Sequence, residues 1–385
     1  MAAICAPAAR AVPLTLPFPP SLLLPLFPQN GVCWPNDDSV WNCTLKFSEV
    51  PTSSTSSSSE TPRLFRLNYD AGRNVFAGNC GVGQLTQLGE EQQFYNGQML
   101  RELYISQGGL LPSDYSPASM YIRADDVPRT IQSAQSLFHG LYPPASGTTA
   151  TEIVDMHIQD KLYDDIMPNG QVNPTWTKYE SEYKQQPSFK QHTTDVTDPL
   201  VARIKTLTGT TGDVDFMSVW DCYNAHVCHG MQIPSGLNNE TFYNEVAAEQ
   251  CWESQAELTY PNVQQNAQVG AGYLVRDMVK PLAAAQQGNE GDLRLTLVSG
   301  HDWSIIPLLQ ALQLWDVSVA GSWTTGWTPY ASAVHFELYE NTETSAMYVR
   351  VVYNGKTLTV PGCPDALCPW DAFETVVAAV TPTQA

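Results

Sequence analysis

One stretch limits the possible folds more than any other. Leu293 to Val298 reads Leu-Arg-Leu-Thr-Leu-Val, then Ser299-Gly300-His301-Asp302 breaks the alternation, and Trp303 to Leu314 resumes as an apolar run of helical length. Period two passing straight into such a run predicts a strand feeding a helix. A second unit of this kind lies upstream. Ser119 to Arg123 is a short β-rich run, and Val127 to Phe138 follows as a helix, with Pro143-Pro144 ending the unit. Ahead of it, Gln92, Phe94, Tyr95, Met99, Leu100, Leu103 and Tyr104 recur at helical spacing, predicting a helix over roughly 87–106. Residues 145–290 are mostly helical and polar, with helices expected near 198–209, 237–252 and 263–286. Three strands follow, Ser332–Tyr339, Met347–Tyr353 and Lys356–Val360. Strand–helix units bracketing a helical block predict an α/β core, 31–144 with 291–385, carrying an inserted helical cap of residues 145–290.

The remaining segments set the context. Residues 11–27 are apolar but broken by five prolines, so no helical signal segment runs through them. The stretch 1–30 reads as an unusual Pro-rich leader. No run of about 18 apolar residues is free of proline, which argues against a transmembrane helix. Residues 49–62 are a Ser/Thr-rich segment unable to bury itself, and Cys43 and Cys80 flank it, so a disulfide between them could staple its base. Lys and Arg number 19 against 39 Asp and Glu, a net charge of −20, which disfavours a nucleic-acid partner. Charged residues are only 15% of the chain, under the usual ~25%. Nine cysteines and two glycosylation sequons, at Asn42 and Asn239, favour the secretory route, extracellular or lysosomal.

In an open α/β sheet, ligands bind beyond the carboxyl ends of the strands. Two segments are expected to reach that edge: Arg123-Ala124-Asp125-Asp126, and His301-Asp302 at a helix start. Arg123 has a planar fork suited to phosphate or carboxylate, and a His–Asp pair supplies one phosphate donor and one proton donor. The plain alternatives are a helix cap at His301 and an ion pair at Arg123. Spacing alone stops at an anion-binding α/β protein. A zinc-like run, Cys222-x-x-x-His226-x-Cys228-His229, has ligands that point awkwardly for a tetrahedral site. Pairing of Cys222 or Cys228 with Cys251 is expected there instead of a metal.

Several ordered motifs lift the reading. Gly83-Gln84-Leu85-Thr86-x-x-Gly89-x-x-Gln92 with Gly97, Arg101 and Tyr104 resembles the histidine acid phosphatase family. So do Tyr121-Ile122-Arg123-x-x-Asp126-Val127-x-Arg129-Thr130, Leu141-Tyr142-Pro143-Pro144 and Val298-Ser299-Gly300-His301-Asp302. The resemblance spans about 80–375. It implies a phosphoglycerate-mutase-like sheet flanked by helices, hydrolysis of small phosphate monoesters through a phosphohistidine, and no cofactor or metal. It also implies a possible homodimer and a disulfide between Cys363 and Cys368. Arg123 and His301 would hold phosphate oxygens, and Asp302 would protonate the leaving oxygen.

The chain departs from the family in one place above all. The nucleophile motif Arg-His-Gly-x-Arg-x-Pro occurs nowhere, and all seven histidines lie downstream of where it belongs. The nearest echo places Arg10 at the motif's second arginine and Pro7 or Ala8 at the nucleophile. The expectation is an altered start that leaves the first central strand missing or changed, with loss of the nucleophile, and a non-catalytic secreted binding or signalling protein, as the alternative. Ala124 and Asp125 also replace a Ser-Thr pair, and Pro128 replaces an acid.

Overall fold

The computed structural model describes residues 33–34, 37–43, 77–81, 83–144, 153–212, 216–315 and 326–382. The Pro-rich leader with Arg10, and the Ser/Thr segment 49–62, lie outside them. The first described elements, β1 (Val40–Trp41) and β2 (Ala77–Gly78), pair in parallel beside the Cys43–Cys80 disulfide, which closes the base of the segment between them.

Helix α1 (Gln87–Leu100) starts where Thr86 Oγ1 accepts from the Gly89 amide, and it runs on into a wide π-type turn over Arg101–Gln107. Strand β3 (Met120–Asp125) and helix α2 (Pro128–Leu141) form the first strand–helix unit. Pro128 sits at the first helical position, where its missing N–H costs nothing. The two helices cross at glycines: a Cβ on Gly97 would lie 2.0 Å from the Leu137 carbonyl oxygen, and one on Gly140 would lie 2.0 Å from that of Phe94. Backbone meets backbone there, which only glycine allows. Leu100, Ile122, Leu137, Leu141 and Leu297 fill the core beneath.

Strand β4 (His157–Gln159) falls within the range expected of the cap, yet it pairs with β3. Helices follow in series: α3 (Pro174–Tyr183), α4 (Pro187–His192), α5 (Asp198–Thr208), α6 (Phe216–His229), α7 (Glu240–Leu258), α8 (Val263–Val269) and α9 (Gly272–Gln286). The single helix expected over 263–286 is thus two. It breaks at Gly270, where the Trp176 ring comes so close that a Cβ would stand 2.8 Å from it. Leu200, Ile204, Trp220, Tyr223, Phe242 and Val246 pack a separate core among α5, α6 and α7.

Strand β5 (Leu295–Ser299) then lies parallel to β3, with Arg123 opposite Val298, giving the order β4-β3-β5. Among the described residues β5 is paired on one side only. Helix α10 (Asp302–Ala311) follows, buried along Ile305, Ile306, Leu308 and Leu309. A second, antiparallel sheet is built from β6 (Val334–Glu340), β7 (Met347–Tyr353), β8 (Lys356–Leu358) and β9 (Leu367–Pro369). Helix α11 (Trp370–Val380) covers it through Phe373, 6.1 Å ring to ring from Phe336. The architecture is mixed α/β.

Candidate active site

Strands β3 and β5 run parallel and end at one edge, so the residues that leave them converge. The Ser299 hydroxyl donates to the Thr130 carbonyl at 2.8 Å, tying the end of β5 to the start of α2. Thr130 Oγ1 in turn donates to the Asp125 carbonyl at 2.7 Å. Gly300 lets the chain turn tightly, since a Cβ there would strike Ser304 Oγ at 2.5 Å and Ile166 at 2.7 Å. The Ser304 hydroxyl accepts from the His301 amide at 2.9 Å, fixing the first turn of α10.

His301 is 6% exposed, and both of its ring nitrogens are engaged. Arg129 Nη2, from the first turn of α2, donates to Nδ1 at 3.1 Å, and Nε2 is hydrogen-bonded to Asp125 Oδ2. Burial lowers the affinity of the ring for a proton, and the Arg129 charge adds to this against the pull of Asp125 and Asp302. The imidazole is neutral. Beside it, Asp302 Oδ2 accepts from the indole N–H of Trp327 at 3.0 Å, while Oδ1 accepts from the Trp303 amide at 2.8 Å. Burial pulls the Arg129 guanidinium down, and the charges of Asp302, Asp221 and Asp125 hold it up. Asp221 comes from α6, as does Asn224, which hydrogen-bonds the Tyr330 phenol. Burial together with Asp221 and Asp302 drives that phenol well above its ordinary range.

Arg123 does not join this group. Its guanidinium donates to Asp164 at 2.8 Å, Asp165 at 2.6 Å, Asp277 at 2.9 Å and Gln159 at 2.6 Å. Arg123 and His301, expected to cage one anion, share no contact in this structure. Asp125 and Asp164 stand between the two side chains, and Arg129 is the arginine that meets His301. The reason is positional. Arg123 lies within the strand and is ringed by the Gln159 amide of β4 and by carboxylates from the loop after it and from α9, whereas Arg129, one residue past Pro128, projects from a helix start over the strand ends. Arg129 was in view in the sequence, two residues beyond Val127 in a motif already noted; the helix-start position was the signal.

Residues 36–354 match the description "Histidine phosphatase superfamily (branch 2)". The chain belongs to that superfamily. Among its relatives, Counting factor 60 of Dictyostelium discoideum is 30% identical over 90% of this chain and 81% of its own. Lysosomal acid phosphatase of Xenopus laevis is 28% identical over 77% and 68%, and lysophosphatidic acid phosphatase type 6 of Mus musculus is 24% identical over 78% and 68%. In fold, the chain resembles the phytase from Citrobacter braakii, at a TM-score of 0.59, 15% identity, and coverage of 78% of this chain and 89% of that one.

The zinc-like run of this superfamily member has structural partners. Cys222 is joined to Cys33, and Cys228 is also disulfide-bonded, so neither offers a thiolate. His226 Nδ1 donates to the Cys222 carbonyl and His229 Nδ1 to that of Ala225; their Nε2 atoms meet the hydroxyls of Ser39 and Thr86. The expected pairing with Cys251 is overturned: Cys251 is a buried free thiol, pushed up to about 12 by burial. Cys363 and Cys368 are joined, their Cα atoms 5.2 Å apart. Asn42 is exposed beside β1, and Asn239 caps α7, its Oδ1 accepting from the Phe242 amide at 2.7 Å. No helix among the described residues is long and apolar enough to cross a membrane.

Proposed function

We propose that the protein hydrolyses phosphate monoesters at the site formed by Arg129, His301 and Asp302. What supports this is the convergence of a guanidinium, an imidazole and a carboxylate beyond the carboxyl ends of two parallel strands, in a chain of the histidine phosphatase superfamily. A phosphoryl group entering here takes Arg129 Nη2 away from His301 Nδ1, and both groups then turn to its oxygens. Fixed donors are worth most where negative charge spreads over equatorial oxygens in the transition state. Asp302, at the start of α10 and oriented by Trp327, gives the departing alkoxide its proton as the P–O bond breaks. In the family the phosphoryl group passes to a histidine and then to water; no described residue is assigned that nucleophilic role here.

A second reading keeps the pocket without the reaction. It is favoured by charge: Asp125, Asp221 and Asp302 surround Arg129, and Arg123 is occupied by three further aspartates. One relative, Counting factor 60, also bears a name that is not that of a phosphatase. Turnover of an alkyl phosphate and of p-nitrophenyl phosphate at acid pH separates the two readings. Under the first, Asp302→Asn slows the alkyl ester by about 10²–10⁴-fold and the activated aryl ester much less. No turnover by the unaltered chain, with sulfate still bound, supports the second. We assign the protein to the secretory pathway, because disulfides such as Cys33–Cys222 and Cys43–Cys80 persist in oxidising compartments.

A further inference from the structure

Asp125 stands where the family resemblance leads one to expect a hydroxyl, and it has a task of its own. It is 1% exposed, and its Oδ2 meets Nε2 of His301. On the other side of the ring Arg129 Nη2 approaches Nδ1 at 3.1 Å. A guanidinium only donates, so Nδ1 must be bare and the ring proton must sit on Nε2, aimed at Asp125. A second carboxyl backs the first. Asp164 Oδ1 accepts from Arg123 Nη2 at 2.8 Å and from the Ile166 amide at 3.0 Å. Its Oδ2 is buried and has no hydrogen-bond partner, and the Asp125 carboxylate is near enough for its charge to act on Asp164. A buried, unpartnered carboxylate oxygen beside a second carboxylate is relieved by taking up a proton.

We propose that Asp125 is a positioning residue, which fixes His301 as the neutral Nε2–H tautomer and orients it, and that the protonated Asp164 keeps Asp125 ionised as the medium turns acidic. Burial, with the charge of Asp125, raises Asp164 to about 6, so of the two carboxyls Asp164 is the one that takes up a proton. Burial pushes Asp125 up, but the hydrogen bond of His301 and the charge of Arg129 bring it below the ordinary carboxylate range. The groups facing this pair are His301, Arg129 and Arg123, with Asp165 next in the chain, Asp277 across Arg123 and Asp302 beside His301. A ring held this way can accept a further proton only at Nδ1, on the side that faces Arg129. The role of such a ring in catalysis rests on the phosphatase reading; its tautomer does not.

The test is nitrogen NMR of the full chain labelled with ¹⁵N-histidine, His301 being assigned by the signal lost in His301→Gln. The free protein is expected to show a protonated Nε2 and a bare Nδ1, with an inflection of the ring shifts near pH 6 as Asp164 ionises. Asp125→Asn is expected to mix the tautomers and Asp125→Glu to restore the single one. Asp164→Asn keeps a donor and removes the titration, so the tautomer stays and the inflection is lost. An Nδ1–H ring, an ordinary imidazolium transition at His301, or an Asp125→Asn spectrum identical to that of the unaltered chain overturns the proposal. Absence of sulfate binding in the same samples counts against the phosphate reading alone, because the tautomer is read in the empty site.

Discussion

Two groups outside the site pull stability in opposite directions with pH. Burial, with the charge of Glu180, raises the Glu257 carboxyl to about 7, and the Tyr183 hydroxyl bonds it at 3.3 Å. Its folded form holds a proton that the unfolded chain gives up near 4.5. The stability it contributes is complete below 4.5 and is lost as pH rises through 7. His335 does the reverse: burial lowers it to about 3, so stability falls as pH drops below 6.5, where the unfolded chain takes up a proton and the folded one does not. Urea midpoints across pH 4–8 check both. Glu257→Gln should flatten the loss above pH 5, and His335→Gln the loss below 6.5. Each slope is at most about 1.4 kcal/mol per pH unit, and less at Glu257, which is partly exposed.

Among the elements, the α1–α2 crossing bears most directly on the site, because Arg129 rides on the first turn of α2. Gly97→Ala or Gly140→Ala places a methyl within 2.0 Å of a backbone oxygen. The helices must part, at a cost of about 1–3 kcal/mol. Thermal unfolding measures that cost, and a weaker grip on sulfate would report the shift of Arg129. Periodicity found α1, α2 and α10 to within a few residues, although Phe94 and Tyr95, which helped to mark α1, are exposed and α10 buries every residue from Ser304 to Ala311. It missed α6, whose Cys and His spacing reads as a metal motif while its residues serve the Cys33–Cys222 bond and the Ser39 contact. It missed β4 as well, since three exposed residues carry no pattern and pair only because β3 offers an open edge.

For the whole molecule, Cys33–Cys222 closes a loop with a sequence separation of 189 and pins the first described residues to α6, whereas Cys363–Cys368 spans 5. On chain entropy the first is worth about 5 kcal/mol and the second about 2. Replacing each pair by serines should therefore lower the melting temperature much more for the long bridge, as calorimetry under non-reducing conditions would show. The sequence alone determined the α/β class, the strand–helix units, the His301–Asp302 pair at a helix start and the superfamily resemblance, because those depend on local periodicity and on motifs in order. Only the tertiary structure decided that Arg129 rather than Arg123 meets His301, that Asp125 lies against the imidazole, and that Cys222 pairs with Cys33. A side chain's partner is set by which backbone edges come to lie together in space, and spacing along the chain does not carry that information.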